Sequence, residues 1–218
     1  MAQETIVTVA DKLRMAIEAG VQLPHYTNTD NLIDFPMNEN FDRFEEQIAN
    51  EILKDTSMLK HAKGNLINLA AEGKFSIIMH GCNCHNTMGS GIAREVRERY
   101  PEAYAVDCMT TAGDRSKLGT ITVVSVDNDV GGTMLIVNAY TQYNFNKGGE
   151  FKDVFEYESF QKILDAFAHD AGPGMNIGLP YIGMGLAGGN KERIMSMIED
   201  FAQKVSAKGG SVTLVEFA

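Results

Sequence analysis

A chain of 218 residues, 44% hydrophobic and 22% charged, has room for one ordinary globular domain and a flank. Its formal net charge of −10 opposes indiscriminate nucleic-acid binding but leaves room for a small anion held by backbone amides. No run approaches the roughly 20 apolar residues of a membrane span, and no basic start precedes an apolar stretch as in a secretory signal. Three cysteines, Cys82, Cys84 and Cys108, give no disulfide framework and fit a reducing, cytoplasmic setting.

Residues 1–55 differ in rhythm from the remainder. Ala10, Leu13 and Ile17 fall at helical spacing, as do Phe41, Phe44, Ile48 and Ile52. The polar stretch between them, with Pro24, Asn28, Asp30, Asn31 and Pro36, reads as irregular. This flank is predicted to be a helical extension packed on the main domain, or alternatively an arm for a protein partner.

Over residues 56–218, strands alternate with helices. Strands are predicted at Phe75–Met79, Ile121–Val126, Met134–Val137, Ile177–Ile182 and Val212–Val215, each a short apolar run. Helices are predicted at Gly91–Arg99, Tyr157–His169 and Asn190–Ala207, the last with Ile194, Met197, Ile198 and Phe201 as its buried stripe. This alternation predicts an α/β fold, a mixed and mostly parallel central sheet covered on both faces, with ligands beyond the carboxyl ends of the strands.

Two glycine-rich loops occupy that position. The first runs His80-Gly81-Cys82-Asn83-Cys84-His85-Asn86-Thr87-Met88-Gly89-Ser90-Gly91-Ile92-Ala93, from a strand into a helix. Glycine lets a ligand approach the backbone, and the leading amides of the helix face an anion. The second runs Pro180-Tyr181-Ile182-Gly183-Met184-Gly185-Leu186-Ala187-Gly188-Gly189, again between strand and helix. One such loop is weak evidence of phosphate binding; two in one sheet suit the two phosphates of a diphosphate.

Taken in order, Gly64-Asn65-Leu66, Asn83, Gly89 to Ala93 and Pro180 to Leu186 resemble the macrodomain family, across roughly residues 58–218. The stretch His80 to Ala93 and the continuation Gly185 to Gly189 are similar to the branch of that family that removes phosphate from ADP-ribose 1″-phosphate. The resemblance implies a three-layer α/β/α sandwich that binds ADP-ribose or ADP-ribose 1″-phosphate, with no cofactor and no metal. It implies Gly64, Asn65 and Leu66 beside the adenine, where many members carry Asp in place of Asn65. It implies Asn83 on the distal ribose, Tyr140 along its wall, and the diphosphate clamped by Gly89, Ser90, Gly91, Ile92 and Ala93 with Pro180, Ile182, Gly183, Met184, Gly185, Leu186 and Ala187. Members that strip ADP-ribose from side chains or DNA use a Lys and an Asp where this chain is reckoned to carry Tyr140 and Ala187, which disfavours that chemistry here. A module that binds ADP-ribose without chemistry is the alternative.

His80 has two readings. Near-neutral titration at the end of a central strand suits an acid or a base; a histidine held by hydrogen bonds beneath the loop suits the same position. Asp153 or Glu156 is a candidate carboxylate partner for it. His85 reads as a loop residue and His169 as a helix-end cation. Zinc at His80, Cys82, Cys84 and His85 is disfavoured, since Cys-Asn-Cys spaces its thiols too closely for a structural site. The segment Tyr140 to Glu158 is open to three readings: an aromatic wall, a lid hinged at Gly148 and Gly149, or a surface loop.

Overall fold

The computed structural model describes residues 58–145 and 154–217. The helical extension expected over 1–55 lies outside these residues, as do Gly148, Gly149 and Asp153. Met58–Ala218 forms a compact unit by itself.

The described elements run β1 (Leu59–Lys63), α1 (Leu66–Ala71), β2 (Ile77–Asn83), α2 (Gly91–Arg99), α3 (Pro101–Cys108), a 3-10 turn (Arg115–Lys117), β3 (Ile121–Asp127), β4 (Thr133–Gln142), α4 (Tyr157–Asp170), β5 (Asn176–Leu179), α5 (Lys191–Ser206) and β6 (Ser211–Glu216). The strands form one sheet in the order β1-β6-β5-β2-β4-β3. All neighbours are parallel except β3, which runs antiparallel to β4 at one edge. The sheet is therefore mixed and mostly parallel, as its alternating sequence requires.

Period-two alternation sends neighbouring residues of β2 to opposite faces. Ile77 and Met79 join a core with Phe160, Ile163 and Leu164 of α4 and Ile194, Ile198 and Phe201 of α5. Ile78 faces the other way, into a core with Leu66 and Ile67 of α1, Val96 of α2 and Ala103 of α3. Two helical layers thus sandwich the sheet. Each fully buried large side chain, such as Phe160 or Ile78, contributes about 1.5–3 kcal/mol by leaving water. Among the described residues no helix is long and apolar enough to cross a membrane.

The structure departs from the predicted elements in physically readable ways. β2 and β4 extend beyond their predicted ends, to Asn83 and Gln142, because the strands pair with each other through that region. β5 stops at Leu179, before Pro180, whose missing N–H cannot continue a ladder. Two short helices, α1 and α3, and the edge strand β1 were not predicted; β1 reads Leu-Lys-His-Ala-Lys and buries only Leu59 well.

Candidate functional site

β2 and β5 are neighbours in the sheet, so the loops that leave their carboxyl ends lie side by side. A Cβ built on Gly91 would stand 3.8 Å from a Leu186 methyl carbon, bringing the first loop against the second. Below them, a Cβ on Gly81 would meet Ile182 at 3.3 Å and the Thr141 hydroxyl at 2.9 Å. The ends of β2 and β4 and the second loop thus converge on one spot.

Ser90 caps α2 in extended conformation but makes no side-chain bond to the first turn. The leading amides of α2 are left without a side-chain cap, at the positive end of the helix dipole. Gly89, Ser90 and Gly91 are exposed, and Gly91 has φ +54°. In the second loop Gly183 has φ +77°, and a Cβ there would lie 2.4 Å from the Phe155 ring. Only glycine fits on both counts. Bonds from Met184 to Tyr181, Gly188 to Gly185 and Gly189 to Gly183 fold this loop into consecutive tight turns. Gly185 and Leu186 are exposed at its tip, Met184 and Pro180 are half-buried, and Ile182 and Ala187 are buried in the core under it.

Asn65 is the N-cap of α1. Its Oδ1 accepts from the amides of Ile67 (2.8 Å) and Asn68 (3.2 Å), and its Nδ2 donates to Glu95 (2.7 Å). The carbonyl read as an adenine acceptor is therefore already engaged by the helix. Gly64 donates its amide to Glu216 O at 2.9 Å, and the Leu66 side chain is in the core, leaving only its backbone for a ligand.

Asn83, at the end of β2, organises the first loop: Oδ1 accepts from His85 N (2.8 Å) and Nδ2 donates to Thr87 Oγ1 (2.7 Å). Its register partner on β4 is Gln142, a half-buried residue that sequence reading passed over. Only the pairing of the two strands reveals that neighbour.

His80 takes the second of its two readings, a histidine held beneath the loop, and Tyr140 is buried beside it. Both are 1% exposed, on the face of the sheet covered by α2 and α3. Asn138 donates to Ala103 O (2.8 Å) and Thr122 Oγ1 (2.9 Å), which orients its Oδ1 toward His80 Nε2 at 2.8 Å. The hydrogen-bond network thus makes His80 the neutral Nε2–H tautomer. Its Nδ1 lies 3.8 Å from Cys82 Sγ. Burial lowers the His80 pKa to about 4, against the opposing pull of the Asn138 bond and the Asp107 charge. Tyr140 donates to Asp107 Oδ1 at 2.7 Å; burial raises its pKa, and the Asp107 bond adds to that rise. In place of a wall along a sugar, Tyr140 is part of the floor.

The carboxylate acting on His80 is Asp107, at the end of α3. Glu156 begins α4, which packs on the opposite face of the sheet, so it does not fill that part. Burial also raises both the Cys82 and the Cys84 thiol pKa. Among the described residues no group of three His, Cys, Asp or Glu is arranged to hold a metal. His85 packs edge-on against Tyr143 and Phe145 beside the first loop, with ring centroids 4.9 and 6.1 Å away. Asp107 and Asn138 are lone polar residues among apolar neighbours, and Lys117 is one charge in a polar stretch, so none of the three announces its partners in the sequence.

No family model matches the chain. It is 30% identical over 154 residues to an uncharacterized 17.5 kDa protein from the tk-vs intergenic region of Enterobacteria phage T4, covering 68% of this chain and 92% of that one. It is 36% identical over 81 residues to an ADP-ribose 1″-phosphate phosphatase of Debaryomyces hansenii, covering 34% of this chain and 45% of that protein, less than half its length. In fold it is similar to the macrodomain of Mycobacterium tuberculosis DarG, with a TM-score of 0.56 at 18% identity, over 73% of this chain and 97% of that one. It is similar also to Thermosipho africanus DarTG in complex with ADP-ribose, with a TM-score of 0.54 at 14% identity, over 73% of this chain and 42% of that one.

Proposed function

We propose that the chain, which shares the fold of macrodomains, is a macrodomain that binds ADP-ribose across its two glycine loops and hydrolyses the terminal phosphate of ADP-ribose 1″-phosphate. The observation that carries the binding half is the apposition of Gly91 and Leu186, which sets the uncapped amides of α2 beside the turn at Gly183–Ala187. A diphosphate between them meets backbone donors from both sides, in a chain whose overall charge of −10 would otherwise repel it. The adenosine end then lies toward Gly64–Leu66 and the distal ribose toward Asn83 and Gln142. With Asn65 Oδ1 already capping α1, adenine is held chiefly by shape and backbone contacts.

The hydrolytic half is supported by the similarity of His80–Ala93 to the phosphatase branch and by the partial relative of that activity. In the reaction a water oxygen bonds to phosphorus, the bond from phosphorus to the anomeric oxygen breaks, and that oxygen leaves with the proton the water gives up. His80, neutral and engaged with Asn138, acts from beneath by fixing the end of β2 from which the loop departs. The same burial of His80 favours a competing reading, a module that binds ADP-ribose without chemistry.

Phosphate release from ADP-ribose 1″-phosphate, measured in EDTA on wild type and His80→Ala, separates the two. Turnover by wild type that collapses in the variant supports hydrolysis. ADP-ribose binding with no release of phosphate overturns it and leaves the binding module.

A further inference from the structure

A buried ion pair lies beneath the first loop. Lys117, on the 3-10 turn, is 6% exposed and Asp107 is 1% exposed, with Nζ 3.5 Å from Oδ1. The same ammonium donates to Cys84 O (3.3 Å) and to Asn86 Oδ1, and lies 4.3 Å from the centre of the Tyr140 ring. Such a pair returns little net stability, because removing both charges from water offsets their attraction. What it does here is local.

Asn86 is the one described non-glycine residue with positive φ, at 56°. That region disfavours a side-chain-bearing residue, and Asn tolerates it better than most. Every polar atom of its side chain is engaged. Nδ2 donates to Asp107 O (2.9 Å) and Thr110 O (3.0 Å), while Oδ1 accepts from Lys117 and from Thr110 Oγ1 (3.3 Å). Asn86 sits where the chain turns from the end of β2 toward Gly89, Ser90 and Gly91.

We propose that Lys117 is a positioning residue for the phosphate loop: by binding Asn86 and Cys84 it holds the turn that aims the Gly89–Ala93 amides. This rests on the reading that the first loop binds phosphate. Asp107 neutralises the ammonium from below, so the pair points its positive end at the loop. Both side chains are buried beneath the loop, so the proposed role is indirect.

The test compares full-length wild type, Lys117→Met, and the double variant Lys117→Met/Asp107→Asn, which leaves no uncompensated carboxylate. Asn86→Gly, which keeps the positive φ without the anchors, is the third variant. Two quantities are read at a temperature where each protein is folded: ADP-ribose affinity, and hydrogen exchange of the Cys84, His85 and Gly113 amides, which bond to Tyr143 O, Asn83 Oδ1 and Cys84 O. The expected result is faster exchange at these amides, unchanged exchange in β5 and β6, and affinity weakened by about tenfold. Exchange at the three amides matching wild type in any folded variant overturns the role given to Lys117. If wild type itself binds no ADP-ribose, the functional reading fails while exchange still decides the positioning role.

Discussion

His80 Nε2 stands 2.8 Å from Asn138 Oδ1 in a buried layer, where the contact selects the Nε2–H tautomer and burial keeps the ring neutral. Burial holds the folded imidazole down at a pKa of about 4, against about 6.5 for a solvated histidine. As pH falls from 7, the unfolded chain takes up this proton first, so stability drops through the window from 6.5 to 4. The loss attributable to His80 is about 3 kcal/mol by pH 4, at about 1.4 kcal/mol per unit. Urea unfolding of wild type and His80→Gln across this range should show a shallower slope in the variant. Equal slopes would show that His80 is not the group responsible.

Asn138→Ala removes the acceptor for His80 and the donor to Ala103 O and Thr122 in one step. Leaving buried polar groups unpaired costs about 1–3 kcal/mol for each. A clear fall in the midpoint of urea unfolding is expected at pH 7, where the histidine is neutral. An unchanged midpoint would contradict the network.

Gly183→Ala places a methyl 2.4 Å from the Phe155 ring at φ +77°. Both the clash and the conformation oppose it, so the second loop must shift or the fold weaken, by about 1–3 kcal/mol. ADP-ribose affinity is expected to fall with it. Gly185→Ala meets nothing within 4 Å and should leave the melting temperature within a degree or so of wild type. Equal melting of the two variants would contradict the packing described around Phe155.

Asn65→Ala removes the N-cap of α1 and the bond to Glu95. About 1 kcal/mol of stability should be lost, read by chemical denaturation. ADP-ribose affinity should change less than in Gly183→Ala, because the Asn65 carbonyl is committed to the helix. A larger loss of affinity than of stability would restore it to adenine recognition.

Strands β2 to β6 and both glycine loops were legible because their signals are local. Apolar runs such as Ile121–Val126 mark strands, and Pro180 followed by Gly183 marks a turn whatever the rest of the chain does. Helix α2 spans Gly91–Arg99, the range predicted from the sequence. The floor of the site was not legible. His80 reads in the sequence either as an acid or base or as a histidine held beneath the loop; only the pairing of β2 with β4, and the helices α2 and α3 over that face, select the second. The bond from Tyr140 to Asp107 was not legible either, since the two residues lie 33 positions apart. Lys117 lies 31 residues from Asn86 in sequence, and a contact at that separation leaves no mark in either segment.

Calorimetric titration of the full-length chain with ADP-ribose, alongside Gly183→Ala, bears most directly on the two-loop site. Saturable one-to-one binding by wild type, weakened about tenfold or more in the variant, is the expected result. A wild type that gives no binding heat and no ligand-induced rise in melting temperature would contradict the site, whatever its fold.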